Sequence, residues 1–125
     1  MIVLDASIVL ATLLGEPGGD ILSEVSEDCV LSTFNYGEVI SKLTERGYGP
    51  EDARAVAHPF HDRCVPLSAG HAIQAGLWRR ETKRFGLSMG DRCCLALGLE
   101  LGAEVYTADR AWAGLDLGVK VRVIR

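Results

Sequence analysis

The sequence predicts an α/β fold: three layers, α/β/α, around a central parallel sheet of four to five strands. Two observations carry that prediction. Short apolar runs that read as strands alternate with longer helix-patterned segments along the whole chain, as strands joined by helical crossovers do. Two of those runs, IVL at 2–4 and EVYTA at 104–108, lead directly into an aspartate, Asp5 and Asp109. In an open parallel sheet such residues lie past the carboxyl ends of the strands, where sites form. With 125 residues, 48% hydrophobic and 24% charged, the chain is expected to make one domain over 1–125, burying roughly two-thirds of its unfolded surface. It has no internal repeat, low-complexity tract or linker-like segment.

Taken in order, residues 2–4 form the first buried strand, and a helix follows over 6–14 until Gly15 and Pro17 break it. A second helix is expected near 18–27, with Ile21, Leu22 and Val25 on one face. CVLST at 29–33 is the second strand. NYGEVISKLTERG then reads as a helix capped by Asn35, striped by Val39, Ile40 and Leu43, and stopped at Gly47. Pro50, Glu51 and Asp52 open another helix, because proline suits the first turn and acids suit the positive end of the dipole; Pro59 ends it. CVPL at 64–67 can only be an edge strand, since its proline has no N–H for a central ladder. A long helix is expected over 69–84, with Ala69, Ala72, Ile73, Gly76 and Leu77 on one face. Ser88 caps the next helix, apolar almost all round as far as Leu101 and therefore buried. Strands at 104–108 and 121–124 complete the sheet.

Several function classes fall away. No basic segment precedes the apolar start and Asp5 interrupts it, unlike a signal peptide, and no run reaches a membrane span, so a cytoplasmic protein without membrane contact is expected. Cys29, Cys64, Cys93 and Cys94 form no CxxC pair, which argues for reduced core thiols over a zinc site. A net charge of −4 argues against a general nucleic-acid coat but does not exclude an enzyme that acts on nucleic acid through metal ions, whose site must itself be acidic. The three histidines, His58, His61 and His71, lie in or beside helices away from the acidic rim and are assigned no chemistry.

Four acids converge on that rim: Asp5 and Asp109 past strand ends, Glu38 after the second strand, and Asp91 in the first turn of the buried helix. Each alone has an ordinary explanation, because strand-to-helix junctions favour N-caps, and Asn35-x-x-Glu38 and Ser88-x-x-Asp91 both resemble capping boxes. As a set they would repel one another and raise one another's pKa unless a cation sat among them, and oxygen-only ligands select magnesium or manganese.

VLDASIVLA, STFNYGEVISKL and GLSMGDRCCLALGLELGAEVYTADRAW together resemble a PIN domain, and most nearly the VapC-type ribonuclease toxin of bacterial toxin–antitoxin pairs. The likeness covers nearly the whole chain, is most specific at 87–112 and is not diagnostic over 48–70. It implies a Mg2+-dependent endoribonuclease, with Mn2+ as substitute, whose catalytic and metal-binding cluster falls on Asp5, Glu38, Asp91 and Asp109. Ser7 matches the hydroxyl of the family's first motif. Water as nucleophile would leave a 5′-phosphate and a 3′-hydroxyl on the RNA.

For substrate binding, Arg92 and Arg110, each directly after an acid, are candidates together with Ser7. The run RRETKR at 79–84 has a plainer reading as a solvated helix end, and Trp78 and Trp112 read as packing residues. The resemblance also brings two partners: a second copy, giving a homodimer through spare apolar surface at Phe34, Tyr36, Leu43 and Trp78, and a cognate antitoxin. The antitoxin's helix would lie along Ile8, Leu13, Leu22, Val25 and Val39 and send an arginine to the acids. A haloacid-dehalogenase-like phosphatase needs an aspartate where Ser7 stands; a receiver domain needs paired acids at the first strand and a lysine past the last, whereas Lys120 precedes it. The remaining alternative is a non-catalytic PIN-like binding module whose acids are helix caps. Manganese binding separates the two.

Overall fold

The computed structural model describes residues 1–23 and 28–124 of the chain. Strands β1 (Ile2–Leu4), β2 (Cys29–Ser32), β3 (Cys64–Val65), β4 (Glu104–Thr107) and β5 (Val121–Val123) form one sheet. Their order is β3-β2-β1-β4-β5, with every pairing parallel. The helices are α1 (Ala6–Leu14), α2 (Thr33–Glu45), α3 (Pro50–Ala57), α4 (Ala69–Leu77), α5 (Arg79–Thr82) and α6 (Met89–Leu101). The predicted parallel α/β architecture is present, with the upper strand number and CVPL at the edge.

The pleat sorts the core into two layers. Val3 pairs with Val30 and Val105, and this row meets α6, Trp78 and Trp112 on one face. Leu4, Leu31 and Tyr106 turn the other way and pack with Ile8, Val9, Val39, Leu43, Ala53 and Phe60 from α1, α2, α3 and the turn after α3. A strand covered on both faces must be apolar at every position, which is why IVL and CVL show no alternation. α6 sits so close to β4 that a Cβ on Gly98 would collide with the Val105 side chain. From β1 the chain works outward to β3, then returns to β4 on the opposite side of β1. Strand order reverses between β1 and β4, and sheets of this kind bind ligands in the crevice at such a reversal.

Some expectations need correcting. Near 18–27 the chain forms a 3-10 turn, Gly19–Ser23, and Val25 lies outside the described residues. Asn35 does not cap α2: Ser32 does, accepting from the Phe34 amide at 3.1 Å, so the cap lies three residues earlier. The helix expected over 69–84 stops at Leu77. Trp78 turns into the core, and its carbonyl takes both the amide and the hydroxyl of Thr82. α4 also faces the other way from its predicted stripe. His71, Ala75 and Trp78 are buried, whereas Ile73 is 63% and Leu77 70% exposed, because the bulk of Trp78 decides which side is driven inward.

Among the described residues the two most exposed large apolar side chains, Ile73 and Leu77, are thus both on α4. Leu43 is fully buried, Trp78 is buried, and Tyr36 is half-buried with its hydroxyl on the Ala57 carbonyl; Phe34 alone of that group is exposed. Ile8 and Val39, expected to line a partner groove, are fully buried core residues. Among the described residues no cysteine is joined in a disulfide. His58 and His61 are exposed, and His71 is buried in a capping box with Ser68. Among the described residues no helix is long and apolar enough to cross a membrane.

Candidate active site

The four acids reach one rim from four elements, and their surroundings differ. Asp5 follows β1 and stands at the N-cap position of α1, but its side chain makes no capping bond. It is 4% exposed, and its Oδ2 accepts from Ser7 Oγ at 2.6 Å and from Thr107 Oγ1 at 2.9 Å. Those hydroxyls are held in turn: the Ala108 amide donates to Ser7 Oγ and the Asp109 amide to Thr107 Oγ1. Burial pushes the Asp5 carboxyl up to about 6; the Ser7 and Thr107 hydrogen bonds oppose this, and the charges of Asp91 and Glu38 add to it.

Glu38 lies in the second turn of α2, one turn deeper than expected. Its Oε1 accepts from Asn35 Nδ2 at 2.7 Å. Its carboxyl is raised chiefly by burial, lowered by the Asn35 bond and raised by Asp91. Asp91 does form a capping box: its Oδ2 accepts from the Ser88 amide at 2.9 Å while its own amide donates to Ser88 Oγ. Burial nevertheless raises it, the Ser88 bonds pull it down, and Asp109 pushes it up. Asp109, exposed past β4, caps a short 3-10 turn, Arg110–Trp112, by accepting from the Ala111 amide at 2.9 Å. The ordinary explanation thus holds for Asp91 and Asp109, and fails for Asp5 and for the pair Asn35–Glu38.

Each carboxylate commits one oxygen to these bonds. Among the described residues no three His, Cys, Asp or Glu side chains stand close enough to hold an ion as they are. The donor set still fits a hard divalent cation: it is all oxygen, it lies at the strand-order reversal, and three of its carboxyls are raised by burial and by one another.

Of the candidate substrate contacts, Ser7 faces Asp5 and Arg110 is exposed beside Asp109. Arg92 is not presented to a substrate. It is 6% exposed, and its guanidinium donates to the carbonyls of Ser88 at 3.2 Å and Ala75 at 3.1 Å, bolting α6 to α4. Sequence reasoning missed Thr107 and the true place of Asn35. The available signal for Thr107 was a polar residue inside a strand apolar on both faces, which must find a partner.

Among curated proteins the chain has no match. Solved structures share its fold at low identity. A toxin–antitoxin complex from Klebsiella pneumoniae is similar at TM-score 0.78 and 16% identity, over 100% of this chain and 98% of that one. VapC20 from Mycobacterium tuberculosis, described as a sarcin–ricin-loop-cleaving toxin, gives 0.77 and 20%, over 93% and 97%. DNA-bound VapBC from Salmonella typhimurium gives 0.75 and 19%, over 99% and 98%. The sequence profile of the PIN domain matches residues 2–116, and the chain belongs to the PIN domain family.

Proposed function

We propose that the protein is a metal-dependent endoribonuclease and the toxin of a toxin–antitoxin pair, with Asp5, Glu38, Asp91 and Asp109 as its catalytic and metal-binding acids. The observation that carries this reading is Asp5: a buried carboxyl, raised to about 6, aimed at the rim by two hydroxyls and capping nothing. A group so placed costs stability unless something at the rim rewards its charge. Mg2+, or Mn2+ in its place, would be held by the four acids; when bound it activates water and offsets charge building on the phosphate. The chain's own part is positioning. Ser7 and Thr107 orient Asp5, Ser88 orients Asp91, and the Ala111 amide orients Asp109. Arg110 is the cation assigned to a substrate phosphate.

A non-catalytic reading has one observation in its favour, the genuine caps at Asp91 and Asp109. It predicts no manganese binding. The test is RNA incubated with purified protein and Mg2+, with chelator, and with Asp5→Asn, followed by end-mapping of products.

The partner assignments follow the fold likeness to toxin–antitoxin complexes. A cognate antitoxin is assigned as inhibitor, and among the described residues of the face first expected its helix can use the half-exposed Leu13 and Leu22. Homodimerisation is assigned to α4, where Ile73 and Leu77 project with the small exposed residues Ala69, Ala72 and Gly76 around them.

A further inference from the structure

Asn35 is fully buried, yet it carries an amide into the interior between α2 and α6. Its Nδ2 makes two hydrogen bonds: to Glu38 Oε1 at 2.7 Å and to the Gly90 carbonyl at 3.0 Å. Those acceptors fix the sense of the amide, since turned over it would set oxygen against a carboxylate and a carbonyl. Asn35 Oδ1, also buried, has no donor among the described residues. A buried acceptor without a donor is a cost that an apolar side chain would avoid, so the value of the residue lies in its two hydrogens.

The other wall of the same slot is a side chain that is not there. A Cβ on Gly90 would stand 2.5 Å from both carboxylate oxygens of Glu38. Gly90 immediately precedes Asp91 in the first turn of α6. Glu38, a flexible side chain from a different helix, is thereby seated against the backbone that also carries Asp91.

We infer that Asn35 is a positioning residue which, with Gly90, seats the Glu38 carboxylate on the first turn of α6, so that Glu38 and Asp91 meet a divalent cation as a preset pair. The inference rests on the metal-nuclease reading. Its energetic content is preorganisation: without Asn35 the Glu38 carboxylate must be ordered when the cation binds, and that cost falls on cation affinity rather than on the chemical step.

The experiment measures Mn2+ affinity by calorimetry, and Mg2+-dependent cleavage as half-saturation against saturating rate, for wild type, Asn35→Ala and Gly90→Ala. Both variants should weaken Mn2+ binding and raise the Mg2+ half-saturation by about tenfold or more, with a much smaller change in saturating rate. Gly90→Ala reaches the same carboxylate from the opposite wall, so the inference stays testable where Asn35→Ala folds poorly. A separate arm, in chelator, compares melting temperatures of Asn35→Ala, Glu38→Ala and the double variant. A seated pair predicts that the two losses fall short of adding. Wild-type Mn2+ affinity in both variants, or fully additive melting losses, overturns the positioning role while leaving the nuclease reading in place. Absence of Mn2+ binding by the wild type overturns both.

Discussion

Thr107 Oγ1 donates to Asp5 Oδ2 across 2.9 Å, joining the ends of two strands whose residues stand 102 positions apart. β1 and β4 are neighbours in the sheet, so this bond fixes the rim at the point where strand order reverses. Thr107→Val keeps the shape, removes a donor to Asp5 and removes the acceptor of the Asp109 amide. Urea unfolding should show a loss of about 1–3 kcal/mol, and cleavage should fall by about tenfold or more. Wild-type stability and rate together would mean that the hydroxyl does not orient the acid.

Asp5 also predicts a pH dependence in chelator. Its folded carboxyl is raised from 3.8 to about 6, so the folded state favours the neutral acid. The associated stability is fully present below pH 3.8 and is lost as pH rises through 6. At 1.36 kcal/mol per unit the loss reaches about 3 kcal/mol, on the order of 10 °C in melting temperature for a chain this size. Asp5→Asn carries no charge and escapes it. The variant should therefore gain on wild type between pH 4 and 7, and Mg2+ should stabilise wild type more than the variant. A melting difference that stays flat across that range contradicts the buried charge.

The two arginines next to acids should separate cleanly. Arg92→Ala removes a buried guanidinium from two backbone carbonyls and should cost about 2–4 kcal/mol on unfolding. Arg110→Ala, at an exposed position, should stay within about 0.5 kcal/mol of wild type while weakening cleavage of RNA. The reverse pattern would return Arg92 to the substrate and remove Arg110 from it.

Leu77→Glu tests the α4 face. With Leu77 70% exposed, the change leaves the core untouched, and the monomer should keep its melting behaviour. Sedimentation at micromolar concentration should show a dimer for wild type and a monomer for the variant. A wild-type monomer removes the homodimer assignment.

The strands, the buried α6 and the rim position of the acids were legible because they rest on local pattern: apolar runs, caps and an acid after each central strand. What the sequence hid was tertiary. Ala69, Ala72, Ile73, Gly76 and Leu77 form a helical stripe by spacing, but the larger Trp78 and the Arg92 anchor on Ala75 turn the opposite side inward. Asn35 three residues before Glu38 has the spacing of a capping box, and only the position of Ser32 shows that the helix has already begun. Arg92 beside Asp91 points to a phosphate in the sequence and to two carbonyls in the fold, because successive helix residues face different directions.

The central claim is that charged Asp5 works through a divalent cation on RNA. The most direct measurement is cleavage of a defined RNA by purified protein with Mg2+, with excess chelator, and by Asp5→Asn with Mg2+, all with end-mapping. The account predicts fragments carrying 5′-phosphate and 3′-hydroxyl ends in the first reaction and none in the other two. Cleavage by Asp5→Asn at the wild-type rate, or undiminished cleavage in chelator, would contradict it.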